Sequence, residues 1–249
     1  MMKHFMLILV SMLCVLSAPA QDRQVENKPY IDLRPFHFGV LVGTHFQDIE
    51  FENVGIQTIT NEDGTTTEKL ITTDQDRTDM GFTVGVLGEM RLGTYFALRV
   101  APAMLFGNKH ISFLNHTDKL DSGEPITMHQ DLKSVYISSA VNLIYSAKRF
   151  NNHRPYLMAG INPMLNLSGK QSDIVKLKSY DVLLEVGVGC DFYLPFFKLR
   201  PELKFGFGLI DSMDKDHVNH IKDKNLVVYT NSIIKQSKSK FVSLTFYFE

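Results

Sequence analysis

From residue 241 to 248 the chain reads Phe-Val-Ser-Leu-Thr-Phe-Tyr-Phe, so that Val242, Leu244, Phe246 and Phe248 alternate with Ser243, Thr245 and Tyr247. A period of two belongs to an extended strand, whose successive side chains point to opposite faces. One such strand cannot stand alone, because both of its edges carry unpaired N–H and C=O groups. The rest of the chain must therefore supply partner strands with the same alternation.

It does so seven more times. Residues 36–46 set Phe36, Phe38, Val40 and Val42 against His37, Gly39, Leu41, Gly43 and His45. The same pattern recurs at 81–92, 95–106, 134–145, 154–167, 181–194 and 198–210. The connections alternate in length: 47–80, 107–133, 168–179 and 211–239 are long, whereas 93–94, 146–153 and 195–197 are short. An all-β, antiparallel transmembrane β-barrel has this plan, with long outer loops and short periplasmic turns. The expected count is eight strands. Ten remain open, because 57–73 and 226–234 could add pairs and Asn61-Glu62-Asp63-Gly64 is a turn signal inside the first long connection.

Charge fixes which face is which. Glu89, Arg91, Arg99, Glu185, Asp191, Arg200, Glu202 and Lys204 all share parity with the small and polar residues of their strands. An Arg or Lys at the lipid midplane costs about 2–4 kcal/mol, and a one-residue slip would turn a whole set outward. These residues, with His37 and His45, are therefore expected to form a structural network in the lumen. Val242, Leu244, Phe246 and Phe248 become the lipid face of the closing strand. Glycines such as Gly39, Gly85, Gly160, Gly187 and Gly206 share the inward parity and make room in a narrow interior. On this reading Val186→Arg impairs assembly and Gly187→Ala is milder. Pro102, Pro163 and Pro201 sit inside strands and predict bulges. Tyr95, Phe96, Tyr145, Phe192, Tyr193, Phe196, Phe197, Phe246 and Phe248 would gather in one interfacial girdle.

Lys3 and His4, an apolar run over 5–16 and Ala18-Pro19-Ala20 make residues 1–20 a secretory signal peptide. Residues 21–34, with Pro29, read as a periplasmic lead-in, and 35–249 as the barrel domain. The expected location is the outer membrane of a Gram-negative bacterium, both termini periplasmic. Of the two cysteines, Cys14 leaves with the signal peptide, so Cys190 has no intrachain partner. A formal net charge of −1 argues against a nucleic-acid partner.

Chemical motifs are sparse. His37 and His45 lie on the same face as Glu89, Glu185, Asp191 and Glu202, so an acid or base role is conceivable, but an ion-pair network with the neighbouring arginines accounts for them. Ser139 has no histidine placed beside it by the strand pattern. Asp211, Asp214, Asp216 and His217 crowd one loop without the spacing of a calcium loop. Asn115-His116-Thr117 matches a glycosylation acceptor and carries little weight in a bacterial chain. The expectation is no catalytic site, no cofactor and no metal.

Tyr30-Ile31-Asp32-Leu33-Arg34-Pro35-Phe36-His37-Phe38-Gly39, the strand openings Arg154-Pro155-Tyr156 and Leu199-Arg200-Pro201-Glu202-Leu203, and Gly187-Val188-Gly189 resemble the small outer-membrane barrels of Bacteroidetes. Within those, residues 29–53 look most like the PorT (SprT) family. That resemblance implies a component of the type IX secretion system, which exports proteases and adhesins and supports gliding motility. The implied partners are other components of that system, outer-membrane lipid, and the barrel-assembly machinery during insertion, with Phe246 to Phe248 as its recognition signal. A barrel filled by side chains cannot pass a folded protein, so an accessory or assembly role is expected rather than the conduit. The alternative is a structural or adhesive barrel acting through its surface loops.

Overall fold

The structure is a computed structural model that describes residues 25–60, 65–119, 123–168, 174–221, 224–233 and 235–249. The segment read as a signal peptide and the turn at 61–64 lie outside the described residues. Ten strands are present among the described residues: β1 (Phe36–Glu52), β2 (Ile56–Thr60), β3 (Thr66–Thr78), β4 (Met80–Arg91), β5 (Phe96–Lys119), β6 (Pro125–Ser146), β7 (His153–Asn166), β8 (Tyr180–Tyr193), β9 (Lys198–Gly208) and β10 (Gln236–Phe248). Helix α1 spans Lys224–Asn231. Eight of the strands close a ring in the order β1-β4-β5-β6-β7-β8-β9-β10, with β10 returning to β1 from Val40↔Phe248 to Glu52↔Gln236. All neighbours are antiparallel, so no edge is left along the ring.

The other two strands are continuations. Phe36↔Met90 on β1–β4 and Ile56↔Leu70 on β2–β3 belong to one register, so β1 with β2 and β3 with β4 are two legs of a single long hairpin. Between them the backbones of β1 and β3 part, and side-chain amides take over the ladder. Gln75 accepts from the Ile49 N–H (3.2 Å) and donates to the Gln47 carbonyl (2.8 Å). Asn53 accepts from the Thr73 N–H (2.8 Å) and donates to its carbonyl (3.1 Å). The bulge between Gln75 and Arg77 is what re-aims Gln75.

Several expectations are corrected. Most of the long connections 47–80 and 107–133 are strand: β5 and β6 stay paired without a shift from Phe96↔Tyr145 to Asn115↔Ile126. Residues 226–231 are helical, not a strand. No bulge forms at Pro102, Pro163 or Pro201. Each instead interrupts one ladder without changing its register, since pairing resumes in step from Gly85↔Ala103 to Gly88↔Val100, from Ser138↔Met164 to Val141↔Ile161, and from Gly189↔Glu202 to Phe192↔Leu199. A missing donor removes hydrogen bonds on one side only and needs no extra residue. A methyl on Gly187 would stand 2.6 Å from the Leu203 carbonyl oxygen, so that substitution is not the mild one expected.

The exterior carries the apolar belt. Phe38, Val86, Leu143, Leu157, Val188, Phe205 and Val242 are all exposed, as the alternation requires. The belt ends at Phe46, Met80, Phe106, Val135 and Val242, above which the outward positions become Asp48, Arg77, Asn108, Lys133 and Lys240. The strands rise past that line as a turret. Its core of Ile49, Phe51, Ile71, Ile111, Phe113, Leu132, Ile174, Val175, Met213 and Ile233 is covered by Leu226, Val228 and Tyr229 of α1.

Candidate functional site

A barrel's chemistry is decided by what fills it and what closes it. At the end bearing the short turns, the inward parity of β4, β5, β8 and β9 brings charge together. The Arg99 guanidinium donates to Glu89 (3.0 Å) and Glu202 (2.7 Å). Arg200 donates to Asp191 (2.5 Å), Glu89 (2.7 Å) and Glu249 (2.5 Å). Lys198 pairs with Glu249 at 2.6 Å, and His37 lies 3.5 Å from the same carboxylate. Tyr156 and Tyr247 donate to the two oxygens of Glu202 (2.7 and 2.9 Å), and their rings lie 5.5 and 4.4 Å from the Arg99 guanidinium. Such desolvated charges persist only because nearly every polar atom has a partner.

Above this layer Leu41, Leu87, Ala101, Ala103, Leu105, Ala140, Met164, Leu183 and Phe241 form an apolar plug. A polar relay follows: Ser134 donates to Gln47 Oε1 (2.7 Å), Gln47 Nε2 meets His45 Nε2 (2.6 Å), and His45 Nδ1 meets Thr83 (2.8 Å). Lys109 Nζ donates to the Tyr136 hydroxyl (3.1 Å) in the same storey. The turret core closes the top.

The lead-in closes the bottom. β1 and β7 lie diametrically opposite in the ring, and the segment before β1 reaches across to the far side. Asn27 donates to Asn152 (2.9 Å) and to the Tyr193 carbonyl (2.9 Å). Arg149 donates to the carbonyls of Asn27 and Lys28 and lies 3.7 Å over the Tyr193 ring. The Tyr193 hydroxyl donates to Asp32 (2.8 Å), which Arg154 approaches at 3.5 Å, and Arg91 donates to the Leu33 carbonyl.

Of the residues expected to share one network, His37, Glu89, Arg99, Asp191, Arg200 and Glu202 are brought together. Glu185 binds Asn162 (2.8 Å) and Lys204 donates to the Tyr247 hydroxyl (3.5 Å), so both stand at its upper margin. His45 belongs to the separate relay, about a storey higher, and Arg91 turns back to the Gly93 carbonyl at the rim. Lys198, Glu249, Tyr156 and Tyr247 were missed. Their inward parity marks them, but Lys198 and Glu249 fall at strand ends, where alternation is short. Tyr193, expected in the girdle, is 1% exposed and faces inward beneath Arg149. Phe96 and Tyr145 do meet, as tilted rings 5.2 Å apart, and so do Phe197 and Phe248 at 5.9 Å. Phe246 and Phe248 are half-buried on the outer side of β10, while Val242 and Leu244 are exposed.

Two of the loop carboxylates are held by other contacts. Asp211 pairs with Lys215 and accepts from Ser237, and Asp214 pairs with Lys176. Among the described residues no group of three or more His, Cys, Asp or Glu side chains is arranged to hold a metal.

Residues 20–214 match the sequence family described as outer membrane protein beta-barrel domain. No curated protein matches the chain. Among solved structures it is similar to OprG from Pseudomonas aeruginosa (12% identity, 85% of this chain and 92% of that one, TM-score 0.43). It is also similar to Neisserial surface protein A (13%, 86% and 98%, 0.39) and to Ail, the attachment invasion locus protein of Yersinia pestis (11%, 86% and 99%, 0.35).

Proposed function

The chain belongs to the outer membrane protein beta-barrel domain family, and from that premise we propose that it is an integral accessory or assembly component of the type IX secretion system, needed for export of proteases and adhesins without being their conduit. The secretion role rests on the resemblance of residues 29–53 to the PorT family. The accessory role rests on one observation: the lumen is filled in four successive layers, ionic, apolar, polar and apolar, and the lead-in lies across its mouth. On this reading residues 1–20 are removed on export, both ends of the mature chain lie in the periplasm, and the lumen network of His37, Glu89, Arg99, Asp191, Arg200 and Glu202 is structural. Deleting the gene should leave cargo in the periplasm, and unimpaired export in the deletion strain would sink the proposal.

The turret favours a second reading. It is a built body with its own core beyond the lipid belt, which suits a structural or adhesive barrel that presents a surface. Loss of surface attachment with export intact would select it.

A further inference from the structure

The lead-in does more than span the mouth. Lys28, Pro29, Tyr30, Ile31 and Arg34 line an open pocket of about 290 Å³ along it, mostly apolar and flanked by two cations. Neither Lys28 nor Arg34 has a carboxylate partner among the described residues. Lys28 is also held in the left-handed region at φ 50°, which an L side chain avoids unless its surroundings impose it. Arg149 imposes it by binding the carbonyls of Asn27 and Lys28. The pocket is thus a fixed shape rather than a passing bend.

Its position limits what can enter. Arg34 stands between Leu33, 60% exposed, and Phe36, 55% exposed, where β1 joins the apolar belt. Arg91 at the end of β4 clamps this stretch through the Leu33 carbonyl, and its own N–H donates to Pro35. The Arg34 end of the pocket therefore lies at the lower edge of the lipid belt, and its Lys28 end lies under the mouth beside Arg149. An apolar floor beside two unpaired cations at a membrane edge fits an anionic amphiphile better than a free anion, which would gain nothing from Pro29, Tyr30 and Ile31.

We propose that this pocket is a binding site for the headgroup of an anionic phospholipid, phosphate between Lys28 and Arg34 and glycerol backbone against Tyr30 and Ile31. The site rests on the reading that the lead-in faces the periplasmic, phospholipid leaflet. It would fasten the lead-in, and whatever the lead-in contacts, to the membrane.

The test uses the mature protein in vesicles of phosphatidylcholine with a minor share of phosphatidylglycerol, followed by native mass spectrometry. The wild type should retain phosphatidylglycerol severalfold above its share of the vesicle. Lys28→Gln with Arg34→Gln should lose that preference, while Lys238→Gln with Lys240→Gln, two cations of the opposite end, should keep it. Equal retention by wild type and the Lys28/Arg34 variant overturns the site. So does inorganic phosphate displacing the retained lipid at the concentration of the vesicle's phosphatidylglycerol, since the site would then be one for free anion. Orientation is tested apart, by an impermeant maleimide on Gly93→Cys in a Cys190→Ser background. Labelling in intact cells would overturn the periplasmic reading while leaving the retention result standing.

Discussion

The part of the barrel within the lipid belt and the turret above it are built from the same strands, yet their polarity is opposite. Along β5 within the belt, Phe96, Val100, Met104 and Phe106 face out and Arg99 faces in. Past Phe106 the outward positions are Asn108, His110 and Ser112, and above Lys109 of the polar layer the inward ones are Ile111 and Phe113, both 0% exposed. β1 changes in the same way between Phe46 and Ile49, and β6 between Val135 and Leu132. No residue is inserted at the change, because β5 and β6 stay in step through it. The solvent outside has changed from lipid to water, and the interior has changed to match. Strand geometry says only that faces alternate, and the surrounding medium decides which face is apolar.

The largest expected effect breaks the lower region alone. Arg99→Ala removes the cation shared by Glu89 and Glu202 and leaves both carboxylates short of a partner in a dry lumen. The expected cost is about 3–5 kcal/mol, seen as loss of the heat-modifiable folded band in detergent. If Arg99→Ala melts with the wild type, the network does not hold the barrel closed.

Ile111→Ala makes the matching hole in the turret. It should cost about 2–5 kcal/mol, but locally, because the ladder below Phe106 is untouched. Limited proteolysis should cut the turret while the membrane-embedded fragment keeps its melting behaviour. A single joint transition for belt and turret would show that the two regions fold as one unit.

That inversion explains how much was legible. The eight-strand ring, the faces of β1, β4 to β9 and the closing strand follow from alternation plus the rule that charge avoids lipid. The outer halves of β1, β5 and β6 look like loops in the sequence because their apolar residues move from one parity to the other, as from Phe46 to Ile49 and Phe51, which reads as a break in the pattern. The residues did not stop alternating. The amide bridges of Gln75 and Asn53 had no signal of their own, since a glutamine that replaces a ladder hydrogen bond looks like any polar residue in a loop. The assembly of the ionic layer was legible by face, but its division from the His45 relay depends on height along the strands, which parity does not record.

A paired substitution sharpens the contrast on the outward face alone. Val186→Arg puts a cation against lipid and should cost about 2–4 kcal/mol. Ser112→Arg, outward on β5 but above the belt and opposite Asp74 and His129, should cost almost nothing. Folding yields into vesicles compare the two. Equal penalties would mean that the belt does not end near Phe106.

The smallest effect concerns pH, and it belongs to the turret's outer wall. His110 lies outside the lipid belt between two carboxylates, with Nε2 2.8 Å from Asp79 and Nδ1 2.5 Å from Asp131, and so joins the β3–β4 junction to β6 across β5. Hydrogen bonds to Asp79 and then Asp131 raise its pKa above the ordinary 6.5, against a smaller opposing effect of burial and of Arg77. The other charged groups facing it are Asp76 and Arg77 from β3 and His129 and Lys133 from β6. A histidine whose folded pKa is raised contributes its full stabilisation below the unfolded value and loses it as pH rises through the folded one. Asp79, held below its ordinary 3.8 by the hydrogen bonds from His110 and Arg77, keeps its charge well into the acid range. The β3 wall should therefore hold from mildly acid conditions up to pH 6.5 and loosen on the alkaline side. This matters at β3 because, among the described residues, the hydrogen bonds from its other edge to β1 run through Gln75 and Asn53. Hydrogen exchange of the amides of 74–78, corrected for intrinsic rates, should accelerate as pH rises through the histidine's transition, and His110→Gln should remove that dependence. A variant that still shows the same rise would place the alkaline loosening elsewhere.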